Sequence, residues 1–353
     1  MRMKLVALVA VLAGPAYAGE LVDPTGAADG EALRGNVLVW ADATFYTDPG
    51  DGAQTVHAAQ LGGARKDRLG VVVAMHVVSV TKDGFVEVEP ARGLDCAGAR
   101  LDTSDDLARL RLFVKRADLA PVVTQPFAQT FDDGTRIALR PGTAVIPTSD
   151  ERFVVGVRGA TIVASLPAAS VGHAYTPDRA KAAPAVLDRD YALAPNTRVI
   201  LGGRAVQLGG AHASSIDRRG ATTLFSIHTR CAALDVTVPT ASVREVDDDD
   251  DDSDGDSGLS VLELRDHDFI PAGTVLSSAT GHSIAAAAKP IYLPGSPHGA
   301  TACVDRRVRI AMASGEPLDS VSGSDKLRVC APSAAVVHER WRSASSADGA
   351  TRR

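Results

Sequence analysis

The chain reads as an all-β protein of three or four small β-barrel or sandwich domains in tandem. Three observations predict this. Helical periodicity is scarce along the 353 residues. Short runs rich in Val, Ile, Thr and Phe recur instead, each punctuated by Gly, Pro or Asp. They fall at 36–40, 70–80, 85–89, 109–114, 135–139, 153–157, 161–165, 198–201, 222–227, 233–238, 261–264, 304–311 and 326–330. Many short strands with frequent turns suit small barrels and sandwiches. Third, one phrase returns: Leu166-Pro167-Ala168-Ala169-Ser170-Val171, Val238-Pro239-Thr240-Ala241-Ser242-Val243 and Ala331-Pro332-Ser333-Ala334-Ala335-Val336. Each closes an apolar, β-branched run, so one β unit is used several times.

Residues 1–18 have the form of a cleaved signal peptide. Arg2 and Lys4 give a positive start, residues 5–13 an apolar stretch, and Ala16-Tyr17-Ala18 a small-residue cleavage site. The apolar stretch is shorter than the roughly 20 residues that span a bilayer, and no later run reaches that length. The expectation is an exported chain, periplasmic or secreted, with no membrane span. Residues 19–35 form an N-terminal linker.

The first domain is expected at 36–122. Residues 37–40 (VLVW) lead to Phe45-Tyr46-Thr47-Asp48-Pro49-Gly50, an apolar strand running into a turn. A long strand to Val80 and Asp83-Gly84-Phe85-Val86-Glu87-Val88 follow, and 112–119 (LFVKRADL) closes the unit. This pattern resembles the bacterial SH3-like domains, with Phe85 standing where that family usually has Trp. The resemblance covers roughly residues 36–122 and, more faintly, the later units. Domains of that family bind cell-wall peptides, other proteins or nothing known, so the resemblance implies a binding module and no particular ligand, with a cell-wall component or envelope protein as the expected partner. Trp40, Phe45, Tyr46 and Phe85 are the one local concentration of aromatic residues. They either plug the first core or line the groove that holds an extended peptide.

The second domain is expected at 126–175, followed by an Ala/Pro-rich linker at 176–186 and a third domain at 187–246. Gly134-Thr135-Arg136-Ile137-Ala138-Leu139 matches Asn196-Thr197-Arg198-Val199-Ile200-Leu201, and both units end in the Pro phrase. Residues 247–258 form an acidic linker. Six Asp at 247–252 account for all of the net charge of −6, which removes any electrostatic case for nucleic acid. Read from Asp250, the run fits the start of a calcium loop, with Asp252, Asp254 and the turn at Gly255. Its twelfth position is Val261 and not Glu, so a self-repelling spacer is the plainer reading and a calcium-dependent adhesion module the alternative. The fourth domain is expected at 259–338. Its residues 265–276 (RDHDFIPAGTVL) are similar to the opening of SAF-type domains, which implies a β-clip for this unit. A disordered tail is expected at 339–353.

Four cysteines remain after the leader, an even number that favours disulfides in an oxidising compartment. Cys303 with Cys330 is preferred because both lie in the last unit; that loop would stabilise by roughly 3 kcal/mol. Cys96 would then pair with Cys231 by elimination. No Cys-x-x-Cys occurs and no His is suitably spaced, which disfavours zinc.

A catalytic set is hard to assemble. Gly281-His282-Ser283-Ile284-Ala285 approaches the nucleophile elbow of hydrolases but lacks its final Gly, and the elbow needs a strand–turn–helix. Residues 283–289 could form a short helical turn. An envelope hydrolase acting through Ser283 with His282 or His298 is therefore the alternative reading. His76 lies in an apolar strand run and is expected to be a satisfied core or face residue, and His267 lies between Asp266 and Asp268. The sequence favours a binding or scaffolding module without catalytic activity and without a cofactor.

Overall fold

The computed structural model describes residues 33–50, 52–58, 72–81, 83–91, 96, 99–148, 152–157, 160–177, 191–194, 197–201, 204–208, 213, 215–228, 231–245, 267–297, 299–312 and 324–339. These residues are all-β, with single 3-10 turns as their only helical segments. Among them no helix is long and apolar enough to cross a membrane. The signal peptide, the acidic run and most of the 176–186 linker and the tail lie outside the described residues.

Four stretches of chain share one plan. The first holds β1 (Asn36–Trp40), β2 (Phe45–Tyr46), β3 (Thr55–Val56), β4 (Val72–Val80), β5 (Phe85–Pro90), β6 (Ala99–Thr103), β7 (Leu107–Ala108), β8 (Leu112–Lys115) and β9 (Leu119–Ala120). The second holds β10 (Val122–Val123), β11 (Phe127–Thr130), β12 (Arg136–Leu139), β13 (Val145–Pro147), β14 (Phe153–Val157), β15 (Ala160–Ala164) and β16 (Val171–Gly172), followed by β17 (Ala174–Tyr175). The third runs through β18 (Tyr191–Leu193), β19 (Arg198–Leu201), β20 (Arg204–Gln207), β21 (Ser215–Arg219), β22 (Thr222–His228), β23 (Ala232–Pro239) and β24 (Val243–Glu245). The fourth comprises β25 (His267–Ile270), β26 (Val275–Ser277), β27 (Ser283–Ala287), β28 (Ile291–Tyr292), β29 (Thr301–Met312), β30 (Ser324–Pro332) and β31 (Val337–Glu339).

The Pro phrases are the joints of this plan. A single 3-10 turn separates the last two strands of every unit: Arg116–Asp118, Ala168–Ser170, Thr240–Ser242 and Ser333–Ala335. The residue before the turn is Pro in three units, with φ of −58°, −57° and −56° at Pro167, Pro239 and Pro332. Proline's ring holds φ near that value, so the turn is set before the chain folds. The first unit does the same with Lys115 at φ −72°. After the turn the final strand pairs antiparallel with the unit's first strand: β9 with β1, β16 with β10, β24 with β18 and β31 with β25.

The units are not independent beads. A 14-stranded sheet runs through strands of both the first and the fourth unit. Its junction is β6 against β29, where Val308↔Thr103, Arg309↔Asp102 and Ile310↔Leu101 stand in register. One apolar core holds Val37, Phe45, Val86 and Leu112 of the first unit together with Leu276, Ile284, Leu327 and Val329 of the fourth. The second and third units likewise share a core, through Ile137, Leu139, Val155, Leu193, Phe225 and Leu234, and β12 pairs with β23. Outer units thus pair with each other around an inner pair. Among the described residues no sheet closes into a barrel, which corrects the barrel form of the expectation and leaves its all-β class standing. The physical reason is size: units of this length have too little core of their own, and pairing completes it.

β1 joins the two pairs. All five of its residues are buried. Side chains alternate across a strand, so Val37 and Val39 enter the outer core while Leu38 and Trp40 face the other way. That second face packs on Val122, Ile146 and Tyr175 of the second unit, and Asn36 and Val37 pair with Tyr175 and Ala174. The Cys96–Cys231 disulfide also links the outer pair to the inner one. Cys303–Cys330 stays within the fourth unit. Its residues are opposite one another on β29 and β30, with Cα atoms 4.0 Å apart, the short spacing of a non-hydrogen-bonded pair.

Candidate functional site

The outer face of the first unit's sheet is built by strand alternation. The Asp83-Gly84 hairpin, with Gly84 at φ +78°, starts β5. Thr81 holds the turn: its backbone N–H donates to the Phe85 carbonyl at 2.8 Å, and its Oγ1 accepts from the Phe85 N–H at 3.1 Å. Val86 and Val88 then point into the core, and Phe85, Glu87 and Glu89 point out. On β8 Leu112 and Val114 are core residues, while Phe113 and Lys115 lie on the outer face. On β2 Phe45 is core and Tyr46 is outside.

The register brings these outward residues together: Tyr46 opposes Phe113, and Phe85 opposes Lys115. The Tyr46 and Phe85 rings meet edge-on, 5.3 Å between centroids at 84°. The Lys115 ammonium lies 5.7 Å from the Tyr46 ring centroid, within cation–π range. Phe113 is covered by the ring of His282 from the fourth unit, 5.2 Å away. Glu87, almost buried, accepts a 2.6 Å bond from the Ser79 hydroxyl. Arg111 sits 3.9 Å from Glu87 and 4.0 Å from Glu89. The edge of this face is a hydroxyl chain between units: Asp48 accepts from Thr47 at 3.1 Å and from Thr280 at 2.5 Å.

The four aromatic residues singled out in the sequence therefore divide. Tyr46 and Phe85 are half-buried and adjacent on the outer face. Phe45 plugs the outer core, and Trp40 fills the seam with the second unit. Sequence reasoning missed Lys115, Phe113 and Arg111, although the alternation along 85–89 and 112–115 carries that signal. It had no means of finding His282, which arrives from another unit. His76 is exposed and bonds Asn36 through Nδ1 at 3.1 Å.

The nucleophile-elbow reading meets a strand. Ser283 opens β27, whose residues pair with β26 and β7, and no helix follows it. The short helical turn expected over 283–289 is overridden by these ladders. A Ser–His–Asp grouping lies elsewhere in the fourth unit. Asp268 accepts from both Ser296 and His338, the latter at 2.5 Å, and these bonds hold its carboxyl below the usual value of 3.8. Serine and histidine both address the carboxylate, so the serine has no base of its own. Among the described residues no group of three or more His, Cys, Asp or Glu could hold a metal. Asp250, Asp252, Asp254, Gly255 and His298 lie outside the described residues.

No protein-family model, no curated protein and no solved structure matches the chain.

Proposed function

We propose that this is an exported binding or scaffolding protein of the cell envelope, built from SH3-like units and without catalytic activity. The outer face of the first unit is its docking surface. The observation that carries the reading is the Tyr46–Phe85 pair beside Lys115, partly buried rings on a sheet whose other side is core. Rings left in this state gain by burial under a ligand, and aromatic grooves of this kind take short extended peptides. The strand, 3-10 turn and strand that close all four units support the SH3-like assignment. Two disulfides suit an oxidising compartment. The partner is a cell-wall component, and neither metal nor cofactor enters.

Co-sedimentation with isolated peptidoglycan sacculi tests this. Wild-type protein is retained, and the double variant Tyr46→Ala, Phe85→Ala loses about tenfold or more in affinity, given roughly 1 kcal/mol per stacked ring. No retention of the wild type, or equal retention of the double variant, overturns the proposal.

A further inference from the structure

A second site lies on the same unit, beyond the edge of the aromatic face. A cleft of about 460 Å³ opens between the end of β5 and the β6–β7 segment. That volume is within the roughly 300–1,000 Å³ typical of small-ligand sites. Charged side chains of both signs line it: Glu89, Arg100, Asp102, Asp105 and Arg109. Leu101 and Leu110, both buried, supply apolar lining.

The charges are not equivalent. Each acid has a cation outside the cleft: Arg111 is 4.0 Å from Glu89, Arg309 is 2.9 Å from Asp102, and Lys289 is 3.7 Å from Asp105. The Asp105 pair is exposed on both sides, so it screens that carboxylate weakly. The side chains of Arg100 and Arg109 have no hydrogen-bond or ion-pair partner among the described residues. Two uncommitted guanidiniums thus face one cleft, with a weakly held carboxylate beside them.

Arg109 is also the only non-glycine residue with positive φ among the described residues, at +52°. That conformation is unfavourable for a residue with a Cβ. The fourth unit imposes it from both sides. Leu107 and Ala108 pair with Ala287 and Ala286 on β27, and the Arg111 N–H donates to the Ile284 carbonyl at 2.7 Å. Strain held by surrounding structure marks positions where the chain is kept in place for a purpose.

We propose that this cleft binds a short zwitterionic peptide, whose C-terminal carboxylate is taken by Arg100 and Arg109 and whose ammonium group faces Asp105 and Glu89. Guanidinium is the side chain best matched to a carboxylate. The acids in the lining disfavour a dianion such as phosphate. This site is independent of the Tyr46–Phe85 surface.

Calorimetric titration of the full chain with trialanine, trialanine amide, N-acetyl-trialanine and inorganic phosphate tests the assignment. Trialanine binds, the amide loses about tenfold or more, and the acetylated peptide is weakened less. Arg100→Ala and Arg109→Gly each weaken trialanine by about tenfold. Glycine accepts positive φ without strain, so R109G melts no lower than wild type and its loss of binding is not misfolding. The Tyr46→Ala, Phe85→Ala protein keeps its trialanine affinity, which separates this site from the docking surface. No trialanine binding at millimolar concentration, an amide that binds as well as the acid, phosphate binding tighter than trialanine, or unchanged affinity in both arginine variants would each overturn the proposal.

Discussion

Replacing Gly142 by alanine tests the seam between the outer and inner pairs. Gly142 has φ +91°, and a Cβ there would lie 2.5 Å from Tyr175 Cε2 and 2.9 Å from both Cδ2 and Cζ. Tyr175 is buried in the seam and its backbone pairs with Asn36, so its ring cannot swing out freely. The backbone term costs about 1 kcal/mol, and forcing the ring off its site adds roughly 1–3 kcal/mol. At roughly 2–4 °C per kcal/mol, the melting temperature falls by about 5–15 °C. Gly134→Ala is the control: φ is +81°, but nothing lies within 4 Å of its Cβ. It carries the backbone term alone, about 1 kcal/mol. Calorimetry gives the melting temperatures. Trp40, packed in the same seam, reports by its emission whether the seam has opened. Should G142A melt no lower than G134A with unchanged emission, the seam as described is refuted.

Other outcomes follow from the same structure. Cys96–Cys231 closes a separation of 135 residues and Cys303–Cys330 one of 27. The chain-entropy model gives about 5 and about 3.5 kcal/mol respectively, so Cys231→Ser in a Cys96→Ser background destabilises more than the Cys303, Cys330 double serine variant in urea melts. Asp268, held below 3.8 chiefly by the Ser296 bond and then by His338, stabilises the fold above that pH. That contribution disappears as pH falls through the lowered value. Asp268→Asn is therefore less stable than wild type near neutrality, and the two curves converge in acid. Ser283→Ala leaves both sacculus retention and melting temperature within error, since the side chain is exposed at a strand start. A loss of hydrolytic activity in this variant would instead revive the enzymatic alternative.

Much of the fold was legible because period-2 patterns report which residues face inward. Residues 36–40 and 85–89 form the strands their composition suggests, and the Pro phrases mark the closures because proline fixes φ whatever surrounds it. Alternation does not say against what a face is buried. Nothing in the first unit names the fourth as its partner, so the β6–β29 junction and the arrival of His282 over Phe113 were illegible. The Ala-rich stretch at 283–289 has helical propensity, yet β7 and β26 hold it extended; tertiary pairing outweighs a propensity of tenths of a kcal/mol per residue. The site was half legible. Tyr46 and Phe85 stand out by composition, but so do Trp40 and Phe45, and only their register assigns them to different faces. Arg109 falls within the apolar run at 109–114, yet its backbone is left-handed, held by clamps from residues 175 or more positions away.

The shared core and the β6–β29 junction make the first and fourth units one cooperative body, distinct from the one formed by the second and third. Leu327 lies in the fourth unit, fully buried in the shared outer core. Truncating it to alanine removes about 2–5 kcal/mol from whatever body contains it. Native-state hydrogen exchange read by mass spectrometry, on wild type and L327A, measures where that loss is felt. If the core is shared, exchange quickens in β5 and β8 of the first unit as well as in β29 and β30, with β22 and β23 unchanged. Acceleration confined to the fourth unit, with β5 and β8 as protected as in wild type, would contradict it.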